Sequence, residues 1–236
     1  MAKHKANAAP QEGANLSRGE WVHVKLREAI RAGKFAPGDR VREIDVAKWL
    51  GVSRTPVREA FRRLQADGLL VFEPWRGVIV AELNQQQLIE LYAMRRVLEG
   101  TAAGLAAQHA APSQIATLRD LMDQADAASG ADERAELNRL FHQNIYAAAH
   151  NRYLLQALNA LRDSMALLPS TTYALEDRHA KAQEEHRDIV NAIEARDATQ
   201  AENAARHHIS EAEKARLKVI LQMERDIIRE NEETGT

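Results

Sequence analysis

Three histidines on separate amphipathic stretches have the residue types and spacing that could bind a metal ion. His142 lies one turn after Asn138 at the edge of an apolar stripe, so both side chains fall on one side of a helix. His186 leads a face of branched aliphatic residues, and His208 shares a face with small residues that leave room beside it. Their neighbours are Phe141 and Ile145, then Ile189, Val190 and Ile193, and finally Ala201, Ala204, Ala205, Ala212 and Ala215.

Each of these histidines alone has an ordinary interpretation as a hydrogen-bonded core residue. Together with an oxygen ligand from Asn138 they could instead hold one divalent ion, because helix bundles build metal sites from inward side chains on facing helices. Spacing leaves both interpretations open. Three histidines and a water molecule also form a catalytic zinc set, so a metal-dependent hydrolase is an alternative, with Glu185 as its candidate base.

A second unusual position is Arg95, which falls on the apolar stripe of its predicted helix. A buried guanidinium needs an anionic partner, because an unpaired buried charge is strongly destabilising. Glu99, one helical turn later, could be that partner within the protein. Alternatively, Arg95 could bind the carboxylate of a small organic acid through a bidentate contact, and we include it among the predicted effector residues.

The stretch Gly51–Leu70 predicts a short helix with one basic face. Ser53 or Thr55 can cap its start, and Pro56 falls in the first turn, where a missing N–H costs nothing. Three arginines recur at intervals of four on one face, and apolar residues occupy another face. The basic residues are Arg54, Arg58 and Arg62, and the apolar ones are Val57, Ala60, Phe61 and Leu64.

The sequence around this helix predicts a winged helix-turn-helix. Residues 44–50 form a second short helix, joined to the basic one by a tight turn that contains glycine. Residues 69–73 and 77–81 predict two strands, and the hairpin between them carries Arg76 near its tip. In such motifs the second helix enters the major groove of DNA.

These residues resemble the DNA-binding domain of GntR-type bacterial transcription regulators. The resemblance is carried by Pro37-Gly38-Asp39-Arg40, Arg42-Glu43, Gly51-Val52-Ser53-Arg54-Thr55-Pro56-Val57-Arg58-Glu59-Ala60, Asp67-Gly68-Leu69 and Arg76-Gly77. It implies that double-stranded operator DNA is the partner. The predicted DNA-binding residues are Arg42, Ser53, Arg54, Thr55, Pro56, Arg58, Arg62, Arg76 and Gly77.

Length and charge agree with two domains of different function. The chain has 236 residues, enough for two cores, and no cysteine. Its net charge is -2, yet residues 17–80 contain thirteen Lys and Arg against eight Asp and Glu, and residues 81–236 carry -8. A basic domain suits a phosphate backbone. Without an apolar leader or a long uncharged segment, the protein is expected to be cytoplasmic and to have no membrane partner.

The remainder of the chain predicts a bundle of six helices. Apolar residues recur at helical spacing throughout, and no alternating segment is present after residue 84. The predicted helices span residues 84–110, 113–128, 132–149, 154–168, 177–195 and 197–229, with Pro169 ending the fourth. Residues 1–16 are small and polar and are expected to be a disordered tail.

The bundle also resembles a known domain. Asn138-x-x-Phe141-His142, Glu185-His186-x-x-Ile189-Val190 and Arg206-His207-His208-Ile209 are similar to the helical ligand-binding domain of the FadR subfamily, called FCD. That resemblance implies that Asn138, His142, His186 and His208 hold a divalent metal such as Zn²⁺, Ni²⁺ or Mn²⁺. The family usually has Asp where this chain has Asn138, and a carboxamide lacks the charge that strengthens a metal bond.

The sequence therefore predicts a mainly α protein, with a winged helix-turn-helix at 17–82 and a helical effector-binding and dimerisation domain at 84–230. The expected function is that of a homodimeric regulator, a repressor, since twofold symmetry doubles the short site that one recognition helix reads. A small carboxylate is the expected effector, bound by Arg95, Asn138, His142, His186 and His208. A bundle that only dimerises, without a ligand, is the other alternative.

Overall fold

The computed structural model describes residues 16–168, 171–175 and 177–234. In these ranges the chain forms nine α-helices, a short 3-10 helix at Thr172–Ala174 and one two-stranded sheet, which confirms the predicted fold class. The elements are α1 (Arg18–Arg31), α2 (Glu43–Leu50), α3 (Arg54–Ala66), β1 (Leu70–Glu73), β2 (Gly77–Val80), α4 (Gln85–His109), α5 (Pro112–Ala127), α6 (Ala131–Ala148), α7 (Arg152–Met165), α8 (Arg178–Glu194) and α9 (Ala198–Thr234).

The chain divides into two compact units. Among the described residues, the first contains 16–84 together with 162–168, and the second contains the rest. The boundary after Asn84 agrees with the sequence, but the segment 162–168 was predicted to belong to the bundle. In the structure Leu167 joins the apolar core of the first unit. The predicted tail, apart from Leu16, and Pro169 lie outside the described residues.

The first unit is a helix-turn-helix followed by a β-hairpin. Ser17 and Glu20 form a capping box at the start of α1, and Gly51 ends α2 with a φ of 67°, a left-handed conformation that glycine adopts without strain. Strands β1 and β2 pair antiparallel from Leu70 opposite Val80 to Glu73 opposite Gly77. The predicted inward stripe of α3 is buried, so its arginines remain on the outer side.

The second unit is a bundle of α4 to α9 in which small residues allow close helix packing. Ala102, Ala103, Ala106 and Ala107 of α4 are completely buried in its core. At Gly104, an added Cβ would lie 3.2 Å from the backbone oxygen of Ala198, at the start of α9. Any larger residue there would therefore push α4 away from α9. This close approach brings the polar groups on the neighbouring turns of these helices together.

Helix α7 ends at Met165, three residues earlier than its apolar pattern predicted, and its last turn carries a buried carboxylate. Asp163 is 7% exposed and accepts hydrogen bonds from Arg27 Nε at 3.0 Å and Arg31 Nε at 2.7 Å, both within the first unit. Burial by itself raises the pKa of Asp163, but the two arginine hydrogen bonds outweigh it and lower the pKa below its ordinary value. This ion pair holds residues 162–168 on α1.

Replacing Asp163 with Asn should destabilise the first unit at neutral pH by about 1.5–3 kcal/mol, the range for hydrogen bonds to a charged group. Because the folded pKa of Asp163 is lowered, its contribution is complete above the unfolded pKa of about 3.9 and is lost as pH falls through the folded value. Urea unfolding followed by tryptophan fluorescence reports this unit, since Trp21, Trp49 and Trp75 all belong to it.

The difference between the wild type and Asp163→Asn should therefore be large at pH 7 and small at the acid end of the folded range. Glu28→Gln is the matched control, because Glu28 lies on the same helix as Arg27 and makes an exposed pair with Lys25. Equal unfolding midpoints for the wild type and Asp163→Asn at pH 7 would contradict this role of Asp163.

Candidate nucleic-acid interface and metal centre

The predicted basic face of α3 is exposed and is organised by one acidic residue. Glu43, at the start of α2, accepts a hydrogen bond from Arg54 Nη2 at 2.9 Å and another from Arg58 Nε at 2.9 Å. Both guanidinium groups are more than half exposed. Exposed pairs of this kind exchange partners at little cost, so both arginines can turn to phosphates or base edges when DNA replaces water.

The other predicted DNA-binding residues of the two helices fall into two groups. One group is exposed and contains Arg42, Ser53, Thr55 and Arg62. Arg42 lines one groove with Arg54, and the other three lie within four residues of Arg54 or Arg58 in the sequence. Pro56 is buried within the first turn. Its fixed φ therefore shapes the start of α3, and Pro56 itself does not present a surface to DNA.

The wing carries the remaining predicted contacts. Arg76 donates to Glu73 Oε2 and to the backbone oxygen of Gly38, each at 2.9 Å, so its guanidinium is turned back toward the protein. Gly77 is half-buried, with a φ of 83°. Trp75, which the sequence did not single out, is fully exposed at the hairpin tip.

In the second unit the structure brings together the three predicted histidines. His142 of α6, His186 of α8 and His208 of α9 are buried, and one nitrogen from each lies within 4.8 Å of the other two. The Nε2 atoms of His142 and His208 are 3.1 Å apart. The predicted inward orientation of all three side chains is therefore observed.

Each histidine is held from outside by an oxygen at Nδ1. Glu99 Oε2 lies 3.0 Å from Nδ1 of His142, and Glu185 Oε2 lies 2.6 Å from Nδ1 of His208. Gln183 Oε1 lies 3.2 Å from Nδ1 of His186. Because a carboxylate only accepts hydrogen bonds, Nδ1 of the first two rings carries the proton, and their Nε2 atoms expose lone pairs.

The third ring follows the same rule. The amide nitrogen of Gln183 donates to the backbone oxygen of Met122 at 3.0 Å and to Asp126 at 2.9 Å, so its oxygen must face His186. Nδ1 of His186 is then the donor, and its buried Nε2 has no hydrogen-bond partner among the described residues. Each neutral ring therefore leaves Nε2 without a proton, and one nitrogen of each ring lies within 4.8 Å of the other two.

Burial disfavours the charged form of two of the three rings. Burial first, and then the neighbouring histidines, lower the pKa of His186 well below its ordinary value. Burial and the nearby His142 lower the pKa of His208 in the same way. Neutral imidazole is the form that binds metal ions. Two lone pairs facing each other at 3.1 Å repel unless an electrophile lies between them, and this separation fits two nitrogens bound to one ion at about 2.0–2.1 Å.

Arg95 is joined to the cluster through Glu99 and not directly. Its Nε donates to Glu99 Oε1 at 2.7 Å, so the partner within the helix that the sequence offered is the one observed. Burial raises the pKa of Glu99, but Arg95, His142 and Tyr146 together lower it well below its ordinary value. The predicted direct contact between Arg95 and an effector is at odds with this geometry, because its guanidinium is buried and already paired.

Asn138 lies beside the cluster, on the wall of a narrow pocket that also contains His186 and has no room for a water-sized molecule. Its carboxamide oxygen accepts a hydrogen bond from the hydroxyl of Tyr173 at 2.9 Å. That oxygen is therefore engaged within the protein and has one lone pair left. The role of Asn138 as a metal ligand stays a prediction.

Sequence reasoning missed most of the residues that surround the histidines. Glu99 was considered as a partner for Arg95 and Glu185 as a catalytic base, and neither was recognised as a histidine partner. Gln183, Tyr146 and Tyr173 were not singled out. Helix spacing could have indicated two of them. Gln183 lies three residues before His186, and Tyr146 lies four residues after His142, so each pair shares a helix face.

Family models match both units of the chain. Residues 19–80 match the model described as bacterial regulatory proteins, gntR family, and residues 90–211 match the FCD domain. None of the helices in the described ranges combines the length and the apolar character needed to cross a membrane.

Several individual proteins are similar over most of their length. The chain is 39% identical over 188 residues to a probable D-xylose utilization operon transcriptional repressor of Paenarthrobacter nicotinovorans. The aligned region covers 77% of this chain and 80% of that relative. It is 30% identical to the HTH-type transcriptional regulator YdhC of Bacillus subtilis (strain 168) over 189 residues, with coverage of 78% and 83%.

Solved structures agree with this relationship. The structure of E. coli McbR/YncC superposes with a TM-score of 0.69 at 26% identity and covers 88% of this chain and 99% of its own. These families and relatives are transcription regulators and not enzymes, so the hydrolase alternative is wrong. Because an FCD domain follows a gntR-type helix-turn-helix, the chain belongs to the GntR family of DNA-binding transcription regulators, in its FadR-like subfamily.

Proposed function

We propose that this regulator is a homodimeric repressor in the cytoplasm whose affinity for its operator is set by a small carboxylate bound at a metal ion. The ion would be held by His142, His186 and His208, with Asn138 as a weak fourth ligand. The observation that carries the proposal is the convergence of three buried imidazoles, with one nitrogen of each within 4.8 Å of the other two and each Nδ1 fixed by an acceptor.

The donor set supports a divalent ion such as Zn²⁺, Ni²⁺ or Mn²⁺. Imidazole nitrogen suits all three ions reasonably well, and the outer acceptors raise the basicity of the ligating nitrogens. Glu99 and Glu185 place negative charge one ring away from the ion, which compensates in part for the missing carboxylate at Asn138. The buried Arg95 and Arg178 hold these two carboxylates in place.

The same donor set supports an anionic effector. Every ligand proposed for the ion is neutral, so a bound dication keeps its charge and attracts an anion to any free coordination position. A bound ion would supply that position for a carboxylate oxygen. The adjoining pocket has no room for a water-sized molecule in this structure, so its walls would have to open for even a compact organic acid to reach the ion.

Regulation would follow from differential binding. An ion shared by α6, α8 and α9 couples their packing, and an effector that prefers one arrangement of these helices shifts the population toward it. In a dimer, that shift would alter the separation of the two α3 helices and thus the affinity for a twofold operator. The similarity to a sugar-utilization repressor supports repression of a catabolic operon.

One observation favours a second candidate, a bundle that dimerises without a ligand. Asn138 replaces the usual acid and is bound to Tyr173, which would keep its oxygen away from an ion. The metal experiment below separates the two candidates, because a ligand-free bundle has no reason to be stabilised by a divalent ion.

Arg54→Ala and Arg58→Ala should each weaken binding to the operator about tenfold or more, since a specific arginine contact is worth about 1–3 kcal/mol. Fluorescence anisotropy with a labelled duplex, selected from a random pool by the wild-type protein, measures the change. Arg63→Ala is the matched control, because Arg63 is exposed on the same helix but pairs with Glu20 of α1. Wild-type affinity in both test variants would refute the recognition role of α3.

His186→Ala should remove the metal, whereas His207→Ala should leave it in place. His207 precedes His208 on α9 but is exposed and lies outside the cluster, so it controls for loss of a surface imidazole. Elemental analysis of protein purified without an affinity tag should give about one equivalent in the wild type and in His207→Ala. Adding Zn²⁺, Ni²⁺ or Mn²⁺ to metal-depleted protein should raise its thermal midpoint.

The result that would overturn the metal proposal is equally clear. A wild-type protein without metal, and without a rise in midpoint on adding any of the three ions, would favour the ligand-free bundle. If metal is present, a screen of small carboxylates by thermal shift should find one whose effect disappears in His186→Ala.

Glu185→Gln should weaken metal binding by about 10–100-fold, the range for loss of a partner that orients a metal-binding histidine. The amide keeps the size of the carboxylate but removes the charge that sets the tautomer of His208. Titration with a competing chelator measures the affinity. Circular dichroism must show an intact helical fold, and an unchanged affinity in a folded variant would contradict the role of Glu185.

A further inference from the structure

The tip of the wing exposes a tryptophan that has no packing role in the protein. Trp75 is fully exposed, between β1 and β2, in the loop that joins Glu73 and Gly77. Burial of tryptophan is strongly favoured in water, so a ring left wholly in solvent at a hairpin tip suggests a partner that covers it. Phe72, two-thirds exposed on β1, extends this apolar surface.

The backbone at Trp75 is also unusual. Its φ is 70°, in the left-handed region that favours glycine and is strained for a bulky side chain. Pairing of Glu73 with Gly77 fixes both ends of the loop, and Arg76 ties it to the protein through Glu73 and the backbone oxygen of Gly38. The loop therefore holds the indole outward, while the neighbouring guanidinium bends back onto the loop and stays more than half exposed.

From this geometry we infer that Trp75 is the residue of the wing that enters DNA, packing its ring against the sugars and base edges of the minor groove. Arg76 braces the loop and, because its side chain is more than half exposed, can still supply charge to nearby phosphates. Apolar side chains at wing and arm tips suit this groove, where they contact sugars and open base steps. The inference rests on the DNA binding of the family and does not depend on a metal or an effector.

Duplex DNA is the occupant that the surroundings favour. The groove between the wing and the helix-turn-helix is lined by Arg40, Arg42 and Arg54 together with Glu43. Phe72 and Gly77 line it from the wing, so the wing adjoins a surface with net positive charge. A protein partner of the same patch would have to cover these charges as well. An element that flanks a recognition helix in the major groove can reach the adjacent minor groove, as the arms of homeodomains do.

The first experiment separates apolar contact from charge. Affinity for the selected duplex is measured over a range of salt concentrations for Trp75→Ala, Trp75→Phe and Arg76→Ala. Trp75→Ala should weaken binding by about tenfold with an unchanged salt slope, and Trp75→Phe should recover part of the loss. Arg76→Ala should reduce the slope by about one unit or less. Tyr153→Ala, at an exposed aromatic of the bundle, is the control and should bind normally.

Trp75→Gly tests whether any loss of affinity reflects poor folding. Glycine adopts a φ of 70° without strain, so this variant should have a higher thermal midpoint than the wild type and yet bind the duplex as weakly as Trp75→Ala. In the variant Trp21→Phe/Trp49→Phe, Trp75 is the remaining tryptophan. Acrylamide quenching of its fluorescence should fall when the duplex is added.

Two outcomes would overturn the inference. Unchanged affinity in Trp75→Ala, with unchanged quenching in the single-tryptophan variant, would show that the ring stays in solvent on DNA. Alternatively, Trp75→Ala could weaken dimer formation in sedimentation, while the dimers that remain bind the duplex normally. That outcome would assign the ring to a contact between copies of the chain.

Discussion

The lone pairs of two buried imidazoles, 3.1 Å apart, impose the constraint on which the arrangement of the bundle depends. Nitrogens that are both acceptors cannot remain this close in a low-dielectric interior without an electrophile between them. Protonation of His208 is opposed by burial, which lowers its pKa well below the ordinary value. The metal ion proposed above would satisfy the constraint.

The polar groups around the histidines can be understood from this constraint. Glu99 and Glu185 fix the tautomers of His142 and His208, and a buried carboxylate would itself be unstable without a cation. Arg95 and Arg178 provide that cation in each case. The bundle interior therefore contains two arginine–glutamate–histidine chains that meet at the Nε2 atoms, and the anomalous Arg95 is explained as the outer end of one chain.

The first unit follows a different electrostatic rule, because its charges must remain available to solvent and to DNA. Arg54 and Arg58 share the single acid Glu43, and all three lie at the surface, where such pairs are weak and easily exchanged. Asp163 is the exception, since it is buried against Arg27 and Arg31 and belongs to the packing of this unit. Charge thus stabilises structure where it is buried and remains free for recognition where it is exposed.

The sequence by itself determined the local structure and the identity of the two domains. Periodicity and capping residues placed α2, α3 and the wing within about one residue of their observed bounds, because short-range hydrogen bonds and apolar stripes are set by nearby residues. They also placed six bundle helices and turned His142, His186 and His208 inward. Family motifs then identified a regulator that binds DNA.

Tertiary structure alone decided which charged groups meet. Glu99 reaches His142 across 43 residues, Glu185 reaches His208 across 23, and Asp163 reaches Arg31 across 132. No pattern within one helix specifies such pairs, since they depend on which helices touch and at what register. The same limit applies to the early end of α7 and to Trp75, whose full exposure follows from the closure of the hairpin and not from its residue type.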